Sequence, residues 1–525
     1  MPATISGLLA KWSASTNWPA SVTPPPAPPA RWSRTRRRSV AAAVSVRRSA
    51  RRRCSKGRTF GRWPLTRTIQ FFLFRRNPMK HLSALVGLML LVCPLTGWAA
   101  DAAPATPETM EAPSGYLPSP PIAGQVQTAG EVFGAETGYL HPYLAVGEVY
   151  TDNFFNTPGN KEEEFTTVVT PGLWLAFPGL KTRPEKLATL NTAAGGMPLT
   201  RFRQNSGHRL QGYAGYSADF YKNKNFTDQE NTTQRGEGMI DVNLRGGLGL
   251  NLAAVYENTQ DPYSTGASNS RLVDKYTSYL FDGIASYEVG PRLTLRANLG
   301  YYSLDYDADR NAFRDRDDFK AGAAVSYRVL PKTRVFVQYE YVDVDYDRGV
   351  QDDSEENRYF LGLHWDVTGK TQGMIKGGYE QKDFKQSGVS DEDNFIAEVQ
   401  LTHQFTPKSK LSLSGTRQTN ESDIAGISNR LTYLGAAVYT QQLTAKTSLK
   451  VDFSYNRDEY QDLLTFGGKT DYRDDDYFSI GAGIGWSALR WMNLSLGYNY
   501  GNRDSNFDRF DYENSTFYAN LTVTM

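Results

Sequence analysis

Between Thr333 and Tyr346 the chain reads TRVFVQYEYVDVDY, with positions that alternate in character. Val335, Val337, Tyr339 and Tyr341 share one face of an extended strand, and Arg334, Gln338 and Glu340 share the other. One face suits lipid and the other suits water. The pattern returns at 292–306, 446–460 and 493–501, each time after a short turn such as Gly290-Pro291 or Thr444-Ala445. A hairpin repeated in this way is expected to cross a membrane as a pair of strands. Past the first hundred residues no apolar run approaches the length of a helical span.

Turn positions set the expected strand count. Short turns are predicted near Gly179, Gly246, Pro291, Pro331, Gly369, Pro407, Ala445 and Arg490, recurring every 38 to 45 residues from Gly246 on. That interval is two tilted spans plus one loop. The longer polar stretches 258–274, 347–356, 385–391 and 461–474 lie between them and are expected to face outward, with the turns in the periplasm. Eight turns joining nine strand pairs predict an all-β, transmembrane, antiparallel up-and-down β-barrel of 18 strands over 138–525, with 16 as the alternative. Residues 186–207 alternate poorly and are long for a turn, so they are expected to form either an inward-folded plug or a periplasmic excursion. The last strand sets Phe517, Ala519, Leu521, Val523 and Met525 against Asn520, Thr522 and Thr524. It resembles the terminal signal read by the barrel-assembly machinery, with Met in place of the commoner final aromatic.

Charge changes the picture once the first hundred residues are set apart. Of 58 basic and 56 acidic residues, 1–100 hold 18 bases and no acid, which leaves 40 against 56, or about −16, for 101–525. The arginine clusters at 36–38 and 51–53 therefore do not point to a nucleic-acid partner for the working protein. Met79-Lys80-His81, an apolar run of about twelve residues and then Gly97-Trp98-Ala99 read as a secretory signal over 79–99. On this reading Met79 is the start and 1–78 an upstream extension of the reading frame; an organelle transit peptide is the alternative. Residues 100–137, rich in Pro, Ala and Gly, are expected to be a flexible periplasmic leader. Cys54 and Cys93 both precede the cut, so the exported chain carries no thiol, disulfide or cysteine metal site.

Many of the 31 tyrosines fall at strand ends, among them Tyr301, Tyr306, Tyr339, Tyr341, Tyr379, Tyr439, Tyr455, Tyr498 and Tyr500, and are expected to form aromatic girdles at the two headgroup levels. Alternation places Arg292, Arg296, Lys320, Arg328, Arg334, Arg358, Lys446 and Lys450 on the inner wall, with Glu340, Asp366, Glu398 and Asp452 opposite them in charge. Such a wall stays wet and pairs across strands, and its excess of bases would guide an anionic solute. Tyr302 and Phe360 are expected to face the lumen too. Catalytic chemistry is thin, with only His141, His208, His364 and His403 beyond the signal and no placed nucleophile beside the His364 and Asp366 pair. The acidic runs 305–309 and 343–347 lack the glycine and distal glutamate of a calcium loop. No enzyme, cofactor or metal is expected.

Tyr150-Thr151-Asp152-Asn153-Phe154-Phe155, followed by Val169-Thr170-Pro171-Gly172-Leu173 and by hairpins that close on Asp-Tyr, resembles the putative outer-membrane β-barrel porin family found with exopolysaccharide secretion systems. The resemblance covers 138–525. It implies an 18-stranded pore in the bacterial outer membrane that passes polysaccharide to the cell surface with a periplasmic polysaccharide-export protein, surrounded by outer-membrane lipid and lipopolysaccharide. The alternative is a general or solute-specific diffusion porin, which shares every feature above.

Overall fold

The computed structural model describes residues 138–180, 183–184, 186–201, 208–266, 271–368, 370–386 and 389–524. The extension, signal and leader expected at 1–78, 79–99 and 100–137 lie outside the described residues. These form eighteen strands in chain order: β1 (Gly138–Thr151), β2 (Glu164–Leu180), β3 (Leu210–Asn223), β4 (Thr232–Asn243), β5 (Leu248–Gln260), β6 (Lys275–Val289), β7 (Leu293–Tyr306), β8 (Arg316–Leu330) and β9 (Thr333–Tyr346), then β10 (Ser354–Thr368), β11 (Thr371–Phe384), β12 (Glu392–Thr406), β13 (Ser409–Glu421), β14 (Asn429–Gln442), β15 (Thr447–Phe466), β16 (Lys469–Leu489), β17 (Met492–Ser505) and β18 (Tyr512–Thr524). Each pairs antiparallel with its neighbours in sequence, and β18 returns to pair with β1 from Tyr143 opposite Thr524 to Thr151 opposite Thr516. The sheet is a closed barrel without a free edge, as a strand-built membrane protein requires.

Alternation places the side chains as expected on β9. Val337 is 61% exposed and points outward, while Phe336, Gln338 and Val342 point inward and are buried. Tyrosines form rows on the outer face, with the Tyr339 and Tyr359 rings 5.2 Å apart and Tyr498 4.6 Å from Phe517. Tyr306 departs from the expected girdle, because alternation along β7 turns it into the lumen, where it is buried. Most strands run 13 to 15 residues, beyond the roughly 9–11 needed to cross a membrane, so their outer ends stand above the lipid.

Two connections differ from expectation. Gly179 lies within β2, so the eighth periplasmic link is the whole stretch between Leu180 and Leu210, and the count of eighteen survives because that stretch replaces a turn one for one. The polar region 461–474 is mostly strand. β15 and β16 continue as a hairpin around Gly467 and Gly468, both at positive φ, beyond a register shift after Glu459. Two adjacent residues at positive φ are what a tight hairpin turn needs.

The apolar core sits inside the barrel. Val255, Leu280, Tyr302, Leu304 and Tyr306 form one cluster, with Leu187 and Met197 packed on it, and Val342, Val344 and Tyr346 form another with Ala194. In each cluster the residues below 200 come from the stretch between β2 and β3. Residues 186–201 of that stretch fold into the lumen as a plug, the first of the two alternatives raised by its sequence.

Candidate functional site in the lumen

The plug climbs the inner wall of β4 to β14 from the end of β2. Three backbone hydrogen bonds fold its tip, Leu190 N to Gly196 O at 3.0 Å, Ala193 N to Leu190 O at 3.1 Å and Gly196 N to Ala193 O at 2.8 Å. Gly195 and Gly196 both hold positive φ, and a Cβ on Gly196 would lie 2.2 Å from the Tyr302 ring. Only glycine allows that close approach.

Carboxylates of the wall hold the plug. Leu187 N donates to Glu237 at 3.3 Å, Thr189 Oγ1 to Glu257 at 2.6 Å and Asn191 Nδ2 to Asp261 at 2.8 Å. Gly195 N donates to Asp318 at 2.8 Å, Thr200 N and Oγ1 to the two oxygens of Glu398 at 2.9 and 2.7 Å, and Arg201 Nε to Asp282 at 2.9 Å. Bases of the same wall donate back, Lys376 Nζ to Thr200 Oγ1 at 2.6 Å, Arg316 to Ala193 O at 3.3 Å and Arg430 to Thr192 Oγ1 at 3.3 Å. Between the plug and strands β6 to β12 there remains a cavity of about 60 Å³ bordered by Arg296, Lys320, Glu340, Arg358, Phe360 and Glu398, room for a few waters.

Loops close the outer end. Ser264, between β5 and β6, bonds Asn156 O at 2.8 Å and accepts from Arg503 on β17 through its carbonyl at 2.9 Å, while Gly266 O accepts from Arg473 on β16 at 2.8 Å. This loop therefore bridges distant parts of the wall. Beneath it Asp423, between β13 and β14, accepts from Arg430 at 3.2 Å and Tyr460 at 2.8 Å. Burial alone would raise the Asp423 carboxyl, but the guanidinium groups of Arg430, Arg314 and Arg473 and the Tyr460 hydroxyl outweigh it and hold it well below the usual carboxylate range. Gln351 of the next outer loop bonds Ile424 O and Ile427 O at 3.2 and 2.7 Å.

Solvent enters from the other end. Along β15 the inward side chains of Lys450 and Asp452 are each 41% exposed, while Asn456, Asp458 and Tyr460 farther up are buried. Among the described residues the lumen is thus a vestibule open at the turn end and sealed by loops at the other.

The residues expected on the inner wall fall into three groups. Arg296, Tyr302, Lys320, Glu340, Arg358 and Glu398 stand around the plug: Arg296 reaches Gln338 at 3.1 Å, Arg358 reaches Glu380 at 2.8 Å, and Tyr302 is buried under Gly196. Arg328 and Arg334, opposite one another in the β8–β9 register, stand near the periplasmic rim with Lys450 and Asp452 in the vestibule. Arg292 and Lys446 lie in turns outside the strands, where Arg292 donates to the outward Tyr327 hydroxyl at 3.3 Å and Lys446 to Ala488 O at 3.1 Å. Both differ from the expected inner-wall position because alternation does not extend past the strand end. Asp366 lies outside the described side chains, so its pairing with His364 is not placed. Asp305 and Asp345 of the acidic runs are exposed at the outer rim, and among the described residues no three His, Cys, Asp or Glu side chains stand together to hold a metal ion.

Missing from the sequence-based set are the plug's wall partners Glu257, Asp282, Asp318 and Lys376, and Thr200 and Arg201 of the plug itself. Asp282 shares the inner face with Leu280 and Ile284, which in a wet lumen would look misplaced; those apolar neighbours were the available signal that something packs there.

The family model described as Putative beta-barrel porin 2 matches residues 203–525. No curated protein matches the chain in sequence. Solved structures that resemble it include OccK11 (OpdR) of Pseudomonas aeruginosa, at 12% identity over 75% of this chain and 99% of that one with a TM-score of 0.36. OccAB4 of Acinetobacter baumannii aligns at 9% identity over 74% and 99% with a TM-score of 0.38, and the siderophore receptor PirA of Pseudomonas aeruginosa at 9% over 74% and 81% with 0.36. At that level of agreement the likenesses decide nothing about what this barrel carries.

Proposed function

Because the chain belongs to the Putative beta-barrel porin 2 family, and so is a porin-like channel of the bacterial outer membrane, we propose that it passes exopolysaccharide outward to the cell surface, and that the plugged barrel described above is its closed state. The observation that carries this reading is the direction of the lumen. Its vestibule opens at the periplasmic end, where Lys450 and Asp452 meet solvent, and its outer end is sealed by loops. A chain delivered from the periplasm would find the entrance ready, whereas a solute arriving from outside would meet the seal. Both ends of the plug are rooted at the periplasmic rim, so a periplasmic polysaccharide-export protein would have them within reach. Transport on this reading is passive and no catalytic residue is involved; the force comes from synthesis at the inner membrane, and the barrel supplies a hydrated route.

The test is a clean deletion complemented by a gene starting at Met79, with polysaccharide on the surface compared with polysaccharide retained in the cell. Loss from the surface, restored by that gene, is the expected result. Normal surface polymer in the deletion strain would remove the export reading and favour a gated diffusion porin.

A further inference from the structure

The plug meets the wall in a recurring chemical form. Thr200 Oγ1 donates to Glu398 at 2.7 Å and accepts from Lys376 at 2.6 Å, and the carboxylate and ammonium stand 3.1 Å apart with side chains 8% and 2% exposed. Thr189 Oγ1 repeats it, donating to Glu257 at 2.6 Å and accepting from Arg235 at 3.5 Å, with Arg235 and Glu257 paired to each other. A buried acid and base side by side already satisfy one another in charge, so what they can still bind is neutral and must both donate and accept. A hydroxyl does both from one atom. A carboxylate in the same place would be repelled by the glutamate, and an ammonium by the lysine or arginine.

We infer that the pairs Glu398–Lys376 and Glu257–Arg235 are hydroxyl-binding sites of the transport path, held in the closed barrel by Thr200 and Thr189 and taken by hydroxyls of an uncharged glycan when the plug withdraws. The inference rests on the export reading and narrows it. The polymer is neutral and hydroxyl-rich, in place of the anionic solute that an excess of inner-wall bases would guide, because those bases that touch the plug are tied to acids. The plug imitates its cargo: Leu187 O accepts from Arg235 and Ala193 O from Arg316, as ring and glycosidic oxygens would.

The test uses the barrel with 186–201 replaced by a short Gly-Ser linker, reconstituted in planar bilayers after heat-modifiable gel migration has shown it folded. Maltohexaose and hexagalacturonate serve as neutral and acidic probes of equal length. The neutral hexamer is expected to interrupt the current at a concentration about tenfold lower than the acidic one, and the charge-conserving pair Glu398→Gln with Lys376→Met to weaken its block about tenfold, as loss of hydrogen bonds to charged groups does. Equal or stronger block by hexagalacturonate, or block untouched by that pair, overturns the inference. Should the shortened barrel fail to fold, Thr189→Val with Thr200→Val in the full-length chain removes only the two hydroxyls, and its opening frequency must rise severalfold; an unchanged frequency overturns the inference equally. Selective block in a protein whose deletion strain keeps normal surface polymer would remove export and leave the hydroxyl sites standing. The reverse pair of results would remove the sites alone.

Discussion

Lys382 has no exposed side-chain area and lies between two carboxylates, 3.0 Å from Glu356 and 2.5 Å from Glu421. Replacing it by Met leaves both acids buried and facing each other, at a cost of about 3–5 kcal/mol, and the urea midpoint of barrel unfolding in detergent should fall accordingly. Gly196→Ala acts differently. Its Cβ collides with Tyr302 in a backbone conformation that L residues rarely adopt, so the plug tip cannot seat, whereas the wall is untouched. The expected outcome is more frequent channel opening at an unchanged unfolding midpoint. What could be read of single residues followed from alternation: Arg296, Lys320, Glu340, Arg358 and Glu398 carry charge at inward positions of strands whose other face is plainly apolar. Arg292 and Lys446 show where that reasoning stops, since a turn residue has no face. Asp282 and Asp318 were illegible for the opposite reason, because in a plugged barrel the inner wall also carries Leu280, Ile284 and Val344 and the two faces no longer differ cleanly in polarity.

Among the connecting elements, the plug and the outer loops are coupled. Thr192 O accepts from Glu421 N at 2.7 Å and Thr192 Oγ1 from Arg430, the same arginine that holds Asp423. Withdrawal of the plug therefore takes support from the outer seal. Two acids of the outer loops respond oppositely to pH. The folded value of Asp423 lies below its unfolded value of about 4, so its stabilisation is complete above that value and is lost only as pH falls through the lower, folded one. Asp315, before β8, is pushed up to about 6, chiefly by burial and then by Asp305 and Asp347 against the bond from Tyr306 N. A raised carboxyl contributes stability that is full below about pH 4 and lost as pH rises through 6. Acidification from pH 7 to 5 should thus raise the protection factors of amides in the 307–315 turn, once the intrinsic exchange rate at each pH is divided out, while the seal around Asp423 holds; protection that falls there would contradict the assignment. The seven short turns from Gly246 on were legible from their regular spacing, which Gly or Pro punctuates at five of them, whereas the plug was legible only as a place where that regularity failed. Its inward course depends on contacts from Glu237 to Glu398, far apart in the chain, which no local pattern encodes.

At the scale of the whole molecule, the barrel is fixed by period-two alternation and by the pairing of β18 with β1, and both follow from what the chain must do in lipid, where every backbone group needs a partner. The interior follows a different rule. An 18-stranded ring encloses more space than its own side chains fill, and this chain fills much of it with its β2–β3 connection and seals the far end with loops, leaving a vestibule on the periplasmic side. Withdrawal of the plug breaks its polar contacts to the wall and uncovers the two apolar clusters on which Leu187, Met197 and Ala194 pack, but it leaves the strand pairing of the closed barrel intact. The most direct measurement is single-channel conductance in planar bilayers of the full-length protein beside the variant with 186–201 replaced by a short linker. The account predicts a nearly silent full-length channel and a current at least about tenfold larger once the plug is gone, as expected for the release of an 18-stranded lumen. A steady full-length current that the replacement leaves unchanged would contradict it.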